Sequence, residues 1–185
     1  MTAAIGIARP AADEYAPFYG SYVARVPDID DAISTLARQQ DRFGRTLSLL
    51  SDEDAGHRYA PGKWSVKELL GHVVDVERVF AYRLLRIARA DATPLPGFDE
   101  NAYVPAARFD ARQLADLLGE WSAVRAASIV LVRGIPADAW NRAGTANGQP
   151  ISARALLYVM LGHVEHHLNV LHTRYGVPVL EQALT

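Results

Sequence analysis

The sequence predicts an all-α fold, a four-helix bundle, on three observations. Four long segments repeat apolar residues at the spacing of one helix face, and no segment sustains the alternation of a strand. Helix start and stop signals frame those segments. Half of the 185 residues are apolar, so a chain without cysteine can still bury a sizeable core. We expect one domain over residues 1–185.

The first half of the chain predicts two helices. The first spans about residues 31–50 and follows an Asp-rich start. The second begins at Ser65, where Ser65 and Glu68 have the spacing of a capping box, and runs to about Ala90. Residues 1–27 contain three prolines and an aromatic cluster, and we expect an N-terminal extension packed on the body of the domain.

Two further helices are predicted in the second half. The third opens with another box at residues 110–113 and ends near Gly134, and the fourth starts at Ser152 and stops at Gly176. Residues 91–109, between the second and third helices, are long for a helix connection, which is typical of a functional loop or a crossover.

Composition excludes several classes of function. A net charge of −2 argues against broad electrostatic capture of nucleic acid or of an anionic membrane. No apolar run approaches the roughly 18 residues that span a bilayer, and the N-terminus lacks the pattern of a signal peptide. The absence of cysteine excludes disulfides and thiolate ligands. We therefore expect a cytoplasmic protein.

Three histidines carry the chemistry that the sequence predicts. His163 and His167 lie one turn apart on the apolar face of the fourth helix, and His72 lies on the border of the apolar face of the second. Three inward imidazoles suit Zn²⁺, Ni²⁺ or Fe²⁺ with open coordination positions. The alternative is a set of hydrogen-bonded core histidines. On the same wheel His166 lies at the rim, and Glu165 points to the wet side.

Other polar residues leave two interpretations open. Glu77, at the edge of the apolar face, either pairs with an arginine or contacts a ligand. Asp99 and Glu100 either reach a metal-bound water or are solvated loop carboxylates.

The tetrapeptide Leu-Gly-His-Val occurs at residues 70–73 and again at 161–164, which indicates either two-fold pseudo-symmetry or a chance echo. The spacing around His163 matches none of the common zinc-peptidase motifs.

Three strings resemble the DinB/YfiT superfamily: residues 59–72, 94–103 and 162–168. The resemblance covers about residues 28–175. It implies a bundle in up-down-down-up order, with residues 91–109 as the crossover, and a homodimer. It also implies one divalent ion, zinc or nickel, held by His72, His163 and His167. Relatives include thiol-dependent S-transferases of the bacillithiol type and the mycothiol-dependent maleylpyruvate isomerase.

These observations lead to a metal-dependent enzyme that acts on a small molecule, either a low-molecular-weight-thiol S-transferase or a hydrolase. The metal lowers the pKa of a bound water or thiol, and a chain without cysteine must take that thiol from a cosubstrate. The first alternative is a stress-associated, non-catalytic bundle with a structural metal or a binding role, and the second is a plain helical scaffold. No catalytic residue and no organic cofactor is assigned.

Overall fold

The computed structural model describes residues 4–180 and confirms the four-helix bundle. Two short α-helices, five 3₁₀ turns and one small antiparallel hairpin accompany the four long helices among the described residues. The elements are α1 (Gly20–Val23), α2 (Ala32–Leu47), α3 (Val66–Ala88), α4 (Glu100–Ala107), α5 (Leu114–Arg133), β1 (Ala143–Ala146), β2 (Gln149–Ser152) and α6 (Ala153–Tyr175). The bundle consists of α2, α3, α5 and α6. None of the described helices combines the length and the hydrophobicity that crossing a membrane requires.

The predicted ends of α3 and α6 are confirmed. The Ser65 hydroxyl accepts from the Glu68 amide at 3.0 Å, and the Glu68 carboxylate accepts from the Ser65 amide at 2.9 Å, which is the predicted capping box. The Ser152 hydroxyl accepts from the Ala155 amide at 3.1 Å. At its other end α6 stops at Gly176, which adopts φ 68°, a left-handed conformation that glycine adopts at low cost.

The capping box predicted at residues 110–113 is wrong. The helix begins at Leu114, and its N-cap Gln113 makes no side-chain bond to the backbone. Asp110 lies one turn earlier, accepts a hydrogen bond from the Ser65 hydroxyl at 2.5 Å and pairs with Arg58. A neighbouring segment thus supplies the donors that a capping box would take from its own helix. The predicted first helix is also shorter than expected at both ends.

Side-chain contacts give the direction of each long helix. The N-terminal ends of α3 and α5 lie together, so these two helices are parallel. Helices α2 and α6 are also parallel, because their contacts advance in the same direction, from Gln39 with Leu161 to Arg42 with Glu165. Helix α6 runs antiparallel to α3, which gives the up-down-down-up order. The hydrogen bonds that define these directions join Lys67 to Arg112 O, Gln39 to Leu161 O, the Leu180 amide to the Thr46 hydroxyl, and the Tyr175 hydroxyl to Trp64 O.

The crossover between α3 and α5 is more structured than the sequence predicts. It contains α4, and it adds Leu95 to the edge of the hairpin through hydrogen bonds with Thr145 O and the Asn147 amide, both 2.9 Å. The hairpin turns at Asn147 and Gly148, whose φ angles of 53° and 72° are those of a type I′ turn. The Asn-Gly pair predicts such a turn, but strands of four residues leave no alternation to detect.

The N-terminal segment contacts the bundle along its described length. The Ile7 carbonyl oxygen accepts from the Tyr158 hydroxyl of α6 at 3.0 Å, the Glu14 carboxylate pairs with Arg154 at the start of α6, and α1 packs on α6. Residues 1–3 of the predicted extension lie outside the described residues. That the whole of residues 1–185 forms one domain stays a prediction.

Candidate metal centre

Three imidazole nitrogens converge between α3 and α6. His163 Nε2 lies 3.1 Å from His72 Nε2 and 3.1 Å from His167 Nε2, and one nitrogen from each ring falls within 4.8 Å of the others. All three residues are buried, with exposed fractions of 5–7 %. The helical spacing places His163 and His167 on one stripe of α6, and the antiparallel packing of α3 brings His72 opposite them.

Glycine precedes two of the three histidines because another segment packs closely against the helix at each of these glycines. A Cβ on Gly162 would lie 2.1 Å from the Tyr22 carbonyl oxygen, so the backbone of α1 rests directly on α6. A Cβ on Gly71 would lie 2.4 Å from the Phe109 ring. The Leu-Gly-His strings therefore combine an inward imidazole with a close packing position.

Hydrogen bonds among the three rings cannot give a partner to each of the converging nitrogens. A neutral imidazole nitrogen either donates one proton or accepts at one lone pair. His163 Nε2 has two ring nitrogens at 3.1 Å, and it can bond only one of them through a proton. Two nitrogens on one zinc ion at roughly 2.0–2.1 Å lie about 3.3 Å apart in a tetrahedral site. The two observed spacings of 3.1 Å are close to this value, so the cluster is compact enough to hold one ion.

Electrostatics keep the three rings neutral. Burial lowers the pKa of His72 to about 4, with a smaller effect from His166. Burial also lowers the pKa of His163 and of His167 well below the ordinary value, and the neighbouring rings lower it further. Neutral imidazoles are the form that binds metal ions, so the ligand atoms are available at neutral pH.

A cavity of about 210 Å³ opens onto the cluster. His72 and His163 form part of its wall, and the Tyr22 and Phe80 rings stand edge-on to His163 at centroid distances of 5.6 and 6.0 Å. A small molecule in this cavity would therefore meet two of the imidazoles. The other lining residues are Phe18, Tyr19, Val76, Arg83, Phe98, Glu100 and Asn147.

A buried polar layer crosses the bundle beside the histidines. Arg125 of α5 donates to the Glu77 carboxylate at 3.1 Å and to the Gln39 side chain at 3.2 Å. Glu77 thus forms the predicted ion pair and is no ligand of the cluster. The prediction that Glu165 faces water is wrong, because its side chain is 12 % exposed and pairs with Arg42 of α2 at 2.9 Å.

Of the remaining polar residues considered in the sequence, Glu100 lines the cavity, whereas Asp99 and His166 do not. Asp99 caps α4 by accepting from the Asn101 amide at 2.9 Å, and His166 is half-buried beside Tyr22. Glu100, by contrast, lines the cavity. Sequence reasoning missed Arg83, although a helical wheel places it only about 20° from His72 on α3.

Comparisons with known proteins agree with this fold. The DinB superfamily model matches residues 35–171. "Putative metal-dependent hydrolase OB0413" of Oceanobacillus iheyensis is 28% identical over 79 residues, which are 42% of this chain and 45% of that protein. The chain therefore matches less than half the length of this curated relative. Because the family model covers most of the chain, the protein belongs to the DinB superfamily.

Two solved structures share the fold. The first is YfiT from Bacillus subtilis, described as "a probable metal-dependent hydrolase with an unusual four-helix bundle topology"; it matches with a TM-score of 0.69 and 16% identity, over 80% of this chain and 87% of its own. The mycothiol-dependent maleylpyruvate isomerase matches with a TM-score of 0.62 and 20% identity, over 74% of this chain and 58% of its own. At these identities the likeness concerns the fold.

Proposed function

We propose that this protein is a divalent-metal-dependent enzyme that acts on a small molecule, with His72, His163 and His167 as the metal ligands. The observation that carries the proposal is the convergence of three buried, neutral Nε2 atoms beside a cavity. A closed structural site would bury its ion completely, whereas two of these imidazoles form part of the cavity wall. Zinc and nickel suit an all-imidazole set.

The chain's own residues define what the site can do. The chemistry that a divalent ion supplies when bound here is Lewis-acid activation of a water or a thiol. Since the chain has no cysteine, sulfur for an S-transfer must come from a thiol cosubstrate. Val76 and Phe80 give the cavity an apolar patch beside the histidines.

Two tyrosines add hydrogen-bond donors to the cavity. Burial raises the pKa of Tyr19 and of Tyr22, so both hydroxyls stay protonated at neutral pH. Each hydroxyl can therefore donate to a carbonyl or carboxylate of a bound substrate. Thiol transfer and hydrolysis both remain within this proposal, as do the homodimer and the cytoplasmic location that the sequence predicts.

The direct test is metal content together with turnover. We expect about one zinc or nickel ion per chain in protein purified without a His-tag, measured by elemental analysis. His163→Ala is expected to weaken metal binding by more than about 100-fold, since the loss of an outer partner alone costs roughly 10–100-fold. Activity would be screened with low-molecular-weight thiols against electrophiles, and with small esters and amides.

His172→Ala is the matched control, because His172 lies on the same helix but is exposed. This variant should keep both metal and turnover. Wild-type protein without stoichiometric metal, or His163→Ala protein that keeps it, would contradict the proposal. Stoichiometric metal with a large chelation-dependent loss of stability, but no turnover of any electrophile or ester, would favour a structural metal.

A further inference from the structure

Arg83 lies on the same stripe of α3 as His72 and lines the same cavity. Eleven residues separate the two positions, which is roughly 16 Å along the helix axis. Long side chains on a helix lean toward its N-terminus, so Arg83 leans toward the histidine end. A ligand in the cavity can therefore meet the imidazoles at one end and a guanidinium at the other.

Arg83 differs from the other buried cations. Within residues 4–180, the cationic side chains that are buried are Lys67, Arg83 and Arg125. Lys67 pairs with Asp52 at 2.7 Å, and Arg125 pairs with Glu77 at 3.1 Å. Arg83 is 3 % exposed and donates to the Pro96 carbonyl oxygen at 2.8 Å, the Tyr19 hydroxyl also lies within its hydrogen-bonding reach, and within residues 4–180 no carboxylate pairs with it. A buried charge without a counter-charge is costly to maintain.

The surroundings hold the guanidinium in place. Its central carbon lies 5.9 Å from the centroid of the Phe80 ring and 5.8 Å from that of the Phe98 ring, both within cation–π range. Arginine has five N–H donors arranged as a fork that matches a carboxylate. The two aromatic rings pack near the guanidinium, and Arg83 lines the cavity.

We propose that the cavity takes a small organic carboxylate, whose anionic group pairs with Arg83 while its other end reaches the histidines. The inference rests on the proposed function for the chemistry at the histidine end, but the carboxylate site stands on Arg83 alone. Glu100 lines the same cavity, and among the hydrogen bonds of the described residues Arg83 donates to Pro96 O and not to Glu100. Its negative charge disfavours a dianionic phosphate more than a monoanionic carboxylate, which selects the carboxylate class.

The test compares 6-mercaptohexanoate with 6-mercapto-1-hexanol, which share chain and thiol but differ in the charged end. Binding is measured by ligand-observed NMR titration on metal-loaded and on EDTA-treated protein. We expect the acid to bind at least about tenfold more tightly than the alcohol in both forms, which is about 1.4 kcal/mol. Arg83→Gln should reduce this preference to about threefold or less. Arg89→Gln, an exposed change of the same charge on the same end of α3, should preserve it.

Each other outcome has a defined meaning. A preference that survives in Arg83→Gln, or that is absent from EDTA-treated wild-type protein, overturns the proposal, because the anion would then be held elsewhere or by the metal. A preference that depends on Arg83 in protein unable to bind metal supports the carboxylate site and contradicts the metal function.

Glu100→Gln protects the test against misfolding of Arg83→Gln, because it leaves the packing of Arg83 in place. Removing the like charge should raise the preference for the acid, and a lowered preference would overturn the proposal. Circular dichroism melting of each variant shows which of them fold.

Discussion

Replacing Gly162 by alanine tests whether α1 is held directly against the histidine helix. The new Cβ would lie 2.1 Å from the carbonyl oxygen of Tyr22 and 2.5 Å from its carbonyl carbon. Ordinary contacts of a Cβ begin at 3.4 Å, so α1 must retreat by 1.3 Å or the helix must move away. The obstruction is backbone, which no side-chain rotation can relieve.

The expected free-energy change is the difference between two opposing effects. Alanine is favoured over glycine in a helix interior by about 1 kcal/mol. Overpacking costs about 1–3 kcal/mol, and separating α1 from α6 also exposes Val23, whose burial contributes about 1.5–3 kcal/mol. The three effects sum to a net destabilisation of about 1.5–5 kcal/mol, and a value near 3 kcal/mol lowers the Tm of a chain of this size by about 6–12 °C.

Urea unfolding in the presence of a chelator measures this change without a contribution from bound metal. Gly119→Ala is the matched control, because Gly119 lies in the interior of α5 with no atom near its Cβ position. That variant should gain about 0.5–1 kcal/mol. Limited trypsinolysis at Arg25 should accelerate in Gly162→Ala as α1 detaches. If Gly162→Ala is as stable as the wild type, α1 does not pack as the structure shows.

Two further predictions concern charged pairs. Hydrogen bonding to Arg154 lowers the pKa of Glu14 from 4.5 to about 2, so the pair stabilises the fold above about pH 5 and loses this effect as the pH falls toward 2. Glu14→Gln should therefore lower the free energy of unfolding by about 1–2 kcal/mol at pH 7 and by less than half of that at pH 3. Urea unfolding of both proteins measures this difference, and an equal loss at both pH values would contradict the pairing. Arg125→Met leaves the Glu77 carboxylate buried without its cation and should cost about 3–5 kcal/mol, whereas Arg125→Met combined with Glu77→Leu should recover much of the loss. A single-variant cost below about 1 kcal/mol would show that the pair is not buried as described.

The sequence predicts the long helices well because their signals are local. Ser65 and Ser152 cap their helices with donors from the same turn, and Gly176 stops α6 by its own backbone conformation. Asp110 shows the limit of this reasoning, since it has the residue type of a cap but bonds to a different segment. The hairpin escapes detection because its strands are short, although Asn147 and Gly148 carry its turn signal.

The site is predictable only where one helix contains the information. The stripe of His163 and His167 follows from spacing along α6, but their convergence with His72 depends on how α3 packs. A helical wheel places Glu165 toward water because the wheel includes only residues of the same helix. In the structure, the neighbouring helix α2 brings Arg42 against the Glu165 carboxylate. The interpretation of Arg83 likewise requires knowing that no carboxylate in the described part of the chain pairs with it.

The repeated Leu-Gly-His string reflects how α3 and α6 pack against each other. Because the repeat is not exact, one side of the histidine cluster lacks an imidazole. The Tyr175 hydroxyl bonds to the Trp64 carbonyl, which aligns the antiparallel helices α3 and α6. His72 lies eight residues after Trp64 and His167 eight residues before Tyr175, so these two face each other. The residue opposite His163, twelve positions along, is Val76, where exact two-fold symmetry would place a fourth imidazole. Val76 lines the cavity instead, so the fourth side of the cluster faces space that a ligand can enter.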